Sequence, residues 1–241
     1  MRKILVLLSM VICFVFSANA GYYISAIHST NINYNDLMNY TLSFDASGKP
    51  IAAASMHSTS ASGNGRNSIV IVPSNFLFPA HIFPFVLANE PPTQNIEVRD
   101  FQKVTDDQYL ICGSWQRGSL TTAFVAVVYN NFERMGFYEY PEADCFYSIW
   151  PGNISLAWLH DYAVCGVKGN KGVVGSLDIT TLSLNNFYIT EYPWEYHKII
   201  FKKNPDGHSG VFVVSGRSPD RETIGFTTID PSFTQRNSYA W

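Results

Sequence analysis

Aromatic residues crowd around a proline in the segment ITEYPWEYHKIIF, residues 189–201. Tyr192, Trp194 and Tyr196 could stack on the apolar face of a sugar or a peptide, while neighbouring glutamates accept hydrogen bonds from its polar rim. A related segment, YEYPEADCFYSIW, occupies 138–150. The chemistry that these residue types favour is recognition of a polar ligand, and the simpler alternative is a joint between two strands.

Carboxylates are the second group of residues with chemical potential, because glycoside hydrolysis needs two of them at a suitable separation. Candidates near predicted strand ends are Asp100, Asp161, Asp178 and Asp230. No pair among them is distinguished by its spacing or its neighbours. An enzyme is therefore an open alternative without assigned catalytic residues.

Other kinds of site leave no signature in the sequence. The six histidines show neither i, i+2 nor i, i+4 spacing, and none lies beside a cysteine pair, so no metal site is predicted. A phosphate-binding loop, a nucleophile elbow and a calcium loop are all missing from the sequence. The sequence predicts no cofactor.

The first twenty residues have the pattern of a secretory signal peptide. Arg2 and Lys3 precede an apolar run, and an A-x-A cleavage site occupies 18–20. The run is too short to span a membrane comfortably. We therefore predict one domain over 21–241 that is secreted, periplasmic or on the extracellular surface, with no membrane span after cleavage.

Net charge and cysteine content further limit the class of protein. The formal net charge of −3 becomes −5 once Arg2 and Lys3 are removed, which argues against a nucleic-acid partner. Cys112, Cys145 and Cys165 remain, and an odd number allows at most one disulfide. Equivalent repeat positions predict the first and last of these as small buried residues, whereas Cys145 falls in a joint and is predicted as an exposed thiol.

A repeat organises the chain. YLICG at 109–113 reappears as YAVCG at 162–166 and as FVVSG at 212–216, first 53 and then 50 residues later. A weaker copy is IAAAS at 51–55. Each copy is followed by a turn and further strand-like runs, so each unit consists of four short strands in about 50 residues.

Four such units cover most of the chain, at roughly 38–91, 96–141, 146–193 and 197–241. Their central strands are apolar throughout, as expected when both faces of a sheet are covered. The period and the four-strand content resemble a β-propeller of about four blades, each of four antiparallel strands. A β-sandwich is the alternative, and the number of blades does not decide between a closed ring and an arc of a larger propeller.

The resemblance implies that the turns between second and third strands open on the same face as the joints between units. Aromatic and charged residues of both signs would gather there. The candidate ligand-binding residues on this face are Trp194, Glu195, Tyr196, Tyr192, Tyr140, Trp150, Trp115, Arg117 and Arg217.

Three functions from different classes fit these features. The first is a non-catalytic binding module for a glycan or for a protein at the cell surface. The second is a glycan-active enzyme with two carboxylates in the central pocket. The third is an assembly module that forms part of a larger propeller, and the oligomeric state is not predicted.

Overall fold

The computed structural model describes residues 22–25, 27–29, 37–45, 47–57, 66–72, 80–84, 95–129, 132–152, 161–190, 194–205, 210–218, 220, 222–233 and 236–240. The predicted signal peptide and Tyr192 lie outside these ranges. All regular elements in the described part are β-strands, which suits its many β-branched and aromatic residues. Within the same ranges no helix has the length and hydropathy needed to cross a membrane.

Eighteen strands make up the described fold. They are β1 (Tyr22–Ser25), β2 (Ile27–Ser29), β3 (Leu37–Phe44), β4 (Pro50–His57), β5 (Arg66–Val72), β6 (Ala80–Pro84), β7 (Asn95–Thr105), β8 (Gln108–Arg117), β9 (Leu120–Tyr129), β10 (Arg134–Tyr140), β11 (Cys145–Trp150), β12 (Tyr162–Lys168), β13 (Lys171–Leu177), β14 (Leu184–Ile189), β15 (Glu195–Lys203), β16 (Gly210–Arg217), β17 (Ile224–Ile229) and β18 (Arg236–Ala240).

The strands form four antiparallel sheets, which we call blades, and each blade is an up-and-down meander in chain order. Blade I contains β3 to β6, blade II β7 to β10, blade III β11 to β14 and blade IV β15 to β18. β2 adds a fifth strand beside β6, and β1 adds one beside β10. The segment that contains β1 and β2 therefore joins the outer edges of blades I and II.

Consecutive blades pack face to face, and each of the three interfaces holds its own buried apolar cluster. In blades I, II and III the first strand contacts the first strand of the next blade, so that β3 meets β7, β7 meets β11 and β11 meets β15. These inner strands line the axis of the arrangement. Among the described strands, blade IV makes no comparable contact with blade I.

This architecture confirms the predicted fold class, an all-β propeller of four blades of antiparallel strands. Two sheets packed as a sandwich are excluded, because four separate sheets follow one another around the axis. The apolar central strands of the repeat are buried because each blade is covered on both faces wherever it has two neighbours.

The cysteines correct one prediction. All three described cysteines are free and buried. Cys112 packs between blades II and III and Cys165 between blades III and IV, as expected for small apolar side chains. Cys145 is buried as well, because it begins β11 and its thiol lies against Ser114 and Arg99. The prediction of an exposed thiol there is wrong.

Candidate ligand-binding site at the axial end

A β-bulge interrupts the inner strand of blades II, III and IV at the same place. The pairing register shifts between Val98 and Asp100 in β7, between Phe146 and Ser148 in β11, and in the equivalent position of β15. One extra residue stands in each bulge: Arg99, Tyr147 or His197. A bulge breaks the regular alternation of side chains between the two faces of the sheet, and so redirects the side chain of the extra residue.

The three bulge residues meet across the blades. The guanidinium carbon of Arg99 lies 5.3 Å from the centroid of the Tyr147 ring, a cation–π distance. The rings of Tyr147 and His197 have their centroids 4.5 Å apart. Side chains from three inner strands thus form one continuous row at the axis.

Two carboxylates flank this row. Glu97, two residues before Arg99, forms an ion pair with that arginine. Glu195, two residues before His197, has a carboxylate oxygen 3.3 Å from Nε2 of His197 and 3.8 Å from Nε of Arg217. We call Glu97, Arg99, Tyr147, Glu195, His197 and Arg217 the axial cluster. Each of its charged side chains remains about a third exposed and so can reach a ligand.

The protonation states in this cluster follow from its burial and its charges. Burial lowers the pKa of His197, the positive charge of Arg217 lowers it further, and Glu195 opposes both effects. Near neutral pH the imidazole is therefore neutral, with one donor and one acceptor nitrogen. Burial raises the pKa of Cys145 to about 12, although Arg99 opposes this shift. The thiol next to the cluster is thus protonated and is a poor nucleophile.

A buried carboxylate supports the cluster from the next layer along the axis. Oδ2 of Asp100 accepts hydrogen bonds from Oγ of Ser148 (2.7 Å), the amide of Ile149 (3.1 Å) and Nζ of Lys198 (3.0 Å). Its Oδ1 accepts from the amide of Phe101 and from the side chain of Gln102. Asp100 thereby ties the inner strands of blades II, III and IV together directly beneath the three bulges.

Further ion pairs lie at the same end of the blades, outside the axial cluster. Arg117, at the end of β8, pairs with Glu139 and lies 3.8 Å above the ring of Trp115. Lys168, at the end of β12, pairs with Asp144 at 2.8 Å. Arg99, Arg117, Lys168 and Arg217 therefore each have a carboxylate partner at this end.

Several sequence-predicted site residues belong to the core. Trp115 is fully buried and Tyr140 and Tyr196 are each 1% exposed. The hydroxyl of Tyr140 donates to the carbonyl of Leu182 at 2.8 Å, and that of Tyr196 lies 2.6 Å from Oγ1 of Thr227. These three rings, as placed, present no surface to a ligand.

The other two tryptophans among the predicted site residues, Trp150 and Trp194, pack between blades III and IV. Trp150 meets the rings of Phe201 and Phe212 at 5.4 Å and 5.5 Å between centroids. Trp194 belongs to the same apolar cluster and covers Gly225 so closely that a Cβ there would lie 2.5 Å from the indole. Both rings are therefore largely explained by blade packing.

Of the predicted residues, the structure brings Glu195 and Arg217 together in the axial cluster, and it places Arg117 further from the axis. Sequence reasoning missed Arg99, Tyr147 and His197. A signal was present, because these residues stand 48 and 50 residues apart, which is the period of the repeat. The three residues differ in type, and a search for sequence repeats detects only positions that hold similar residues.

The arrangement offers donors and acceptors but no preformed metal site. Within the described ranges, no group of three or more histidine, cysteine, aspartate or glutamate side chains is placed to hold a metal ion. What the cluster can do chemically is form directed hydrogen bonds with a ligand that enters along the axis.

The fold and this site together define a β-propeller module with a polar cluster at one end of its axis. No protein-family model matches the chain, and no curated protein matches it. Among solved structures it is similar to the α-L-arabinofuranosidase Arb93A of Fusarium graminearum in complex with an iminosugar inhibitor, with 13% identity and a TM-score of 0.48 over 91% of this chain and 71% of that one. It is also similar to the Dos1 propeller, with 13% identity and a TM-score of 0.45 over 91% of this chain and 54% of that one. Both scores are below 0.5, so the fold assignment rests on the sheets and their packing.

Proposed function

We propose that the chain is a non-catalytic β-propeller module that binds a neutral glycan at the axial cluster. The observation that carries this proposal is the pairing of charges at this end of the blades. Arg99, Arg117 and Arg217 each face a glutamate, and Lys168 faces an aspartate. Since each of these four cations is matched by a carboxylate, the pairs offer donors and acceptors side by side, and hydroxyl groups, which both donate and accept, are the chemistry that fits.

Charged ligands fit this surface less well. An acidic sugar would bring a third carboxylate next to Glu97 and Glu195, and like charges held close together repel one another. A protein partner would need a desolvated apolar centre in its contact surface, whereas the axial cluster consists of charged and polar side chains. The predicted signal peptide supports the proposal, since it would direct the module out of the cytoplasm, where glycans are abundant.

Substitution of Arg99 tests the proposal. The Arg99→Ala variant should bind neutral oligosaccharides at least about tenfold more weakly than the wild type, because hydrogen bonds to a charged group contribute roughly 1.5–3 kcal/mol. Isothermal titration calorimetry with cello-, xylo- and manno-oligosaccharides measures this, and the same series with acidic oligosaccharides should give weaker binding.

Lys103→Ala is the matched control, since Lys103 lies in the same strand toward its other end and pairs there with Asp106 at 2.7 Å. Its affinity should equal that of the wild type. Preferential binding of the acidic series, or an equal loss of affinity in both variants, would contradict the proposal.

Release of reducing sugars during the titrations would instead favour the second candidate, a glycan-active enzyme. Glu97 and Glu195 would then be its carboxylate pair, on either side of Tyr147.

A further inference from the structure

Because the blades repeat, each position in the two end blades, I and IV, can be compared with the equivalent position in blades II and III. β3 also has a bulge, between Met38 and Thr41, and Leu42 forms the second pair after it, with Ala52. In the other blades the same place is taken by Phe101, Ile149 and Ile199. Those three side chains are at most 1% exposed because each packs on the preceding blade, whereas Leu42 is 68% exposed.

Blade IV shows the complementary surface. Phe226 of β17 pairs with Ser215, as Val125 pairs with Cys112 in blade II and Val174 with Cys165 in blade III. Both valines are completely buried against the following blade, whereas Phe226 is only partly buried. Blade IV thus ends in the kind of surface that blades II and III use to bind their next neighbour.

The contact between blades III and IV shows which pair of side chains packs at a blade-to-blade interface. Trp150 of blade III packs on Phe201 of blade IV. The residues equivalent to this pair at the two ends of the series are Ile200 on blade IV and Phe44 on blade I. Ile200 is 50% exposed and Phe44 is 59% exposed. Each end therefore carries one half of the same blade-to-blade interface.

We propose that a second copy of this chain supplies the missing neighbour, with blade IV of one copy packed on the inner strand of blade I of the other. Two copies related by a twofold axis along the channel would make this contact twice and close a ring of eight blades. The continuity of the interface favours this occupant, because the face exposed on blade IV repeats the surface that already binds a blade, and blade I carries the apolar strand that such a surface binds. The inference is independent of the ligand proposed above.

The Leu42→Glu variant tests the interface. Light scattering at micromolar concentration should give twice the chain mass for the wild type and the chain mass for the variant, since a charge would be buried without a partner in the contact. Leu120→Glu is the matched control, because Leu120 is 60% exposed at the start of β9, away from both ends of the series. It should remain a dimer. A monomeric wild type, or a dimer that Leu42→Glu does not dissociate, would overturn the proposal.

Engineered cysteines distinguish the second copy from closure within one chain. An equimolar mixture of Phe44→Cys and Ile200→Cys proteins should form a disulfide-linked heterodimer under mild oxidation, and neither variant alone should do so to the same extent. The three cysteines in the described part of the chain are buried and do not compete. If instead the mixture stays unlinked while the double variant forms an internal disulfide, the ring closes within one chain and the proposal fails.

Discussion

The Gly113→Ala variant is expected to lose about 3 kcal/mol or more of its free energy of unfolding. A Cβ on Gly113 would lie 1.8 Å from the carbonyl oxygen of Glu97 and 2.9 Å from a ring carbon of Phe124. Backbone atoms cannot yield as the end of a flexible side chain can, so the bulge of β7 would have to move. A Cβ on the equivalent Gly166 would lie 1.9 Å from the carbonyl oxygen of Cys145, and one on Gly216 would lie 2.4 Å from that of Glu195.

Gly118→Ala is the matched control for this substitution. Gly118 lies in the turn after β8 with a φ of +59°, and the space that a Cβ would occupy there is open to a distance of 4 Å. Alanine there suffers only the cost of the left-handed backbone, about 1–2 kcal/mol. Urea unfolding followed by tryptophan fluorescence compares the two variants. If Gly113→Ala is no less stable than Gly118→Ala, the bulge does not depend on the missing side chain.

The Asp100→Ala variant should lose about 3 kcal/mol of stability. Removing this buried carboxylate leaves the hydroxyl of Ser148 and the amide of Ile149 without their acceptor, and an unsatisfied buried polar group costs about 1–3 kcal/mol. It also leaves Lys198 without the oxygen 3.0 Å away that neutralises it. The contact with Lys198 adds less, because that side chain is half exposed.

Asp106→Ala is the control, because Asp106 forms its ion pair with Lys103 in water and is mostly exposed. An exposed ion pair contributes about 0–1 kcal/mol, so this variant should unfold almost as the wild type does. Asp100→Asn should fall between the two, since it keeps one acceptor oxygen. Equal stability of Asp100→Ala and Asp106→Ala would show that the three inner strands do not need the central carboxylate.

The fold was predictable because a propeller imposes the same packing on each unit. YLICG and YAVCG recur since the second strands of blades II and III are buried on both faces. FVVSG of blade IV shares with them the glycine that lies against the inner strand. The alignment of the weaker copy IAAAS is one residue out of place. Ala53, not Ala54, pairs just after the bulge of β3 as Cys112 does in blade II.

The site was predictable only in part, and the bulges explain why. Counting alternate residues along WEYH cannot place Glu195, Tyr196 and His197 correctly, because the extra residue in β15 breaks the period of two. Tyr196 then points into the blade III–IV interface, while His197 joins the axial row. Asp100, a possible catalytic acid by its sequence position, instead holds three strands together because its partners come from two other blades.

The most direct test of a glycan site at the axial end is a nuclear magnetic resonance titration of isotope-labelled protein. The titrant is the neutral oligosaccharide that binds most tightly in the calorimetric series. We expect the largest shifts on the Nε–Hε signal of Arg99 and the imidazole signals of His197, with little change at Lys103 at the other end of β7. Shifts concentrated on the outer strands or near Lys103, with Arg99 and His197 unchanged, would contradict it.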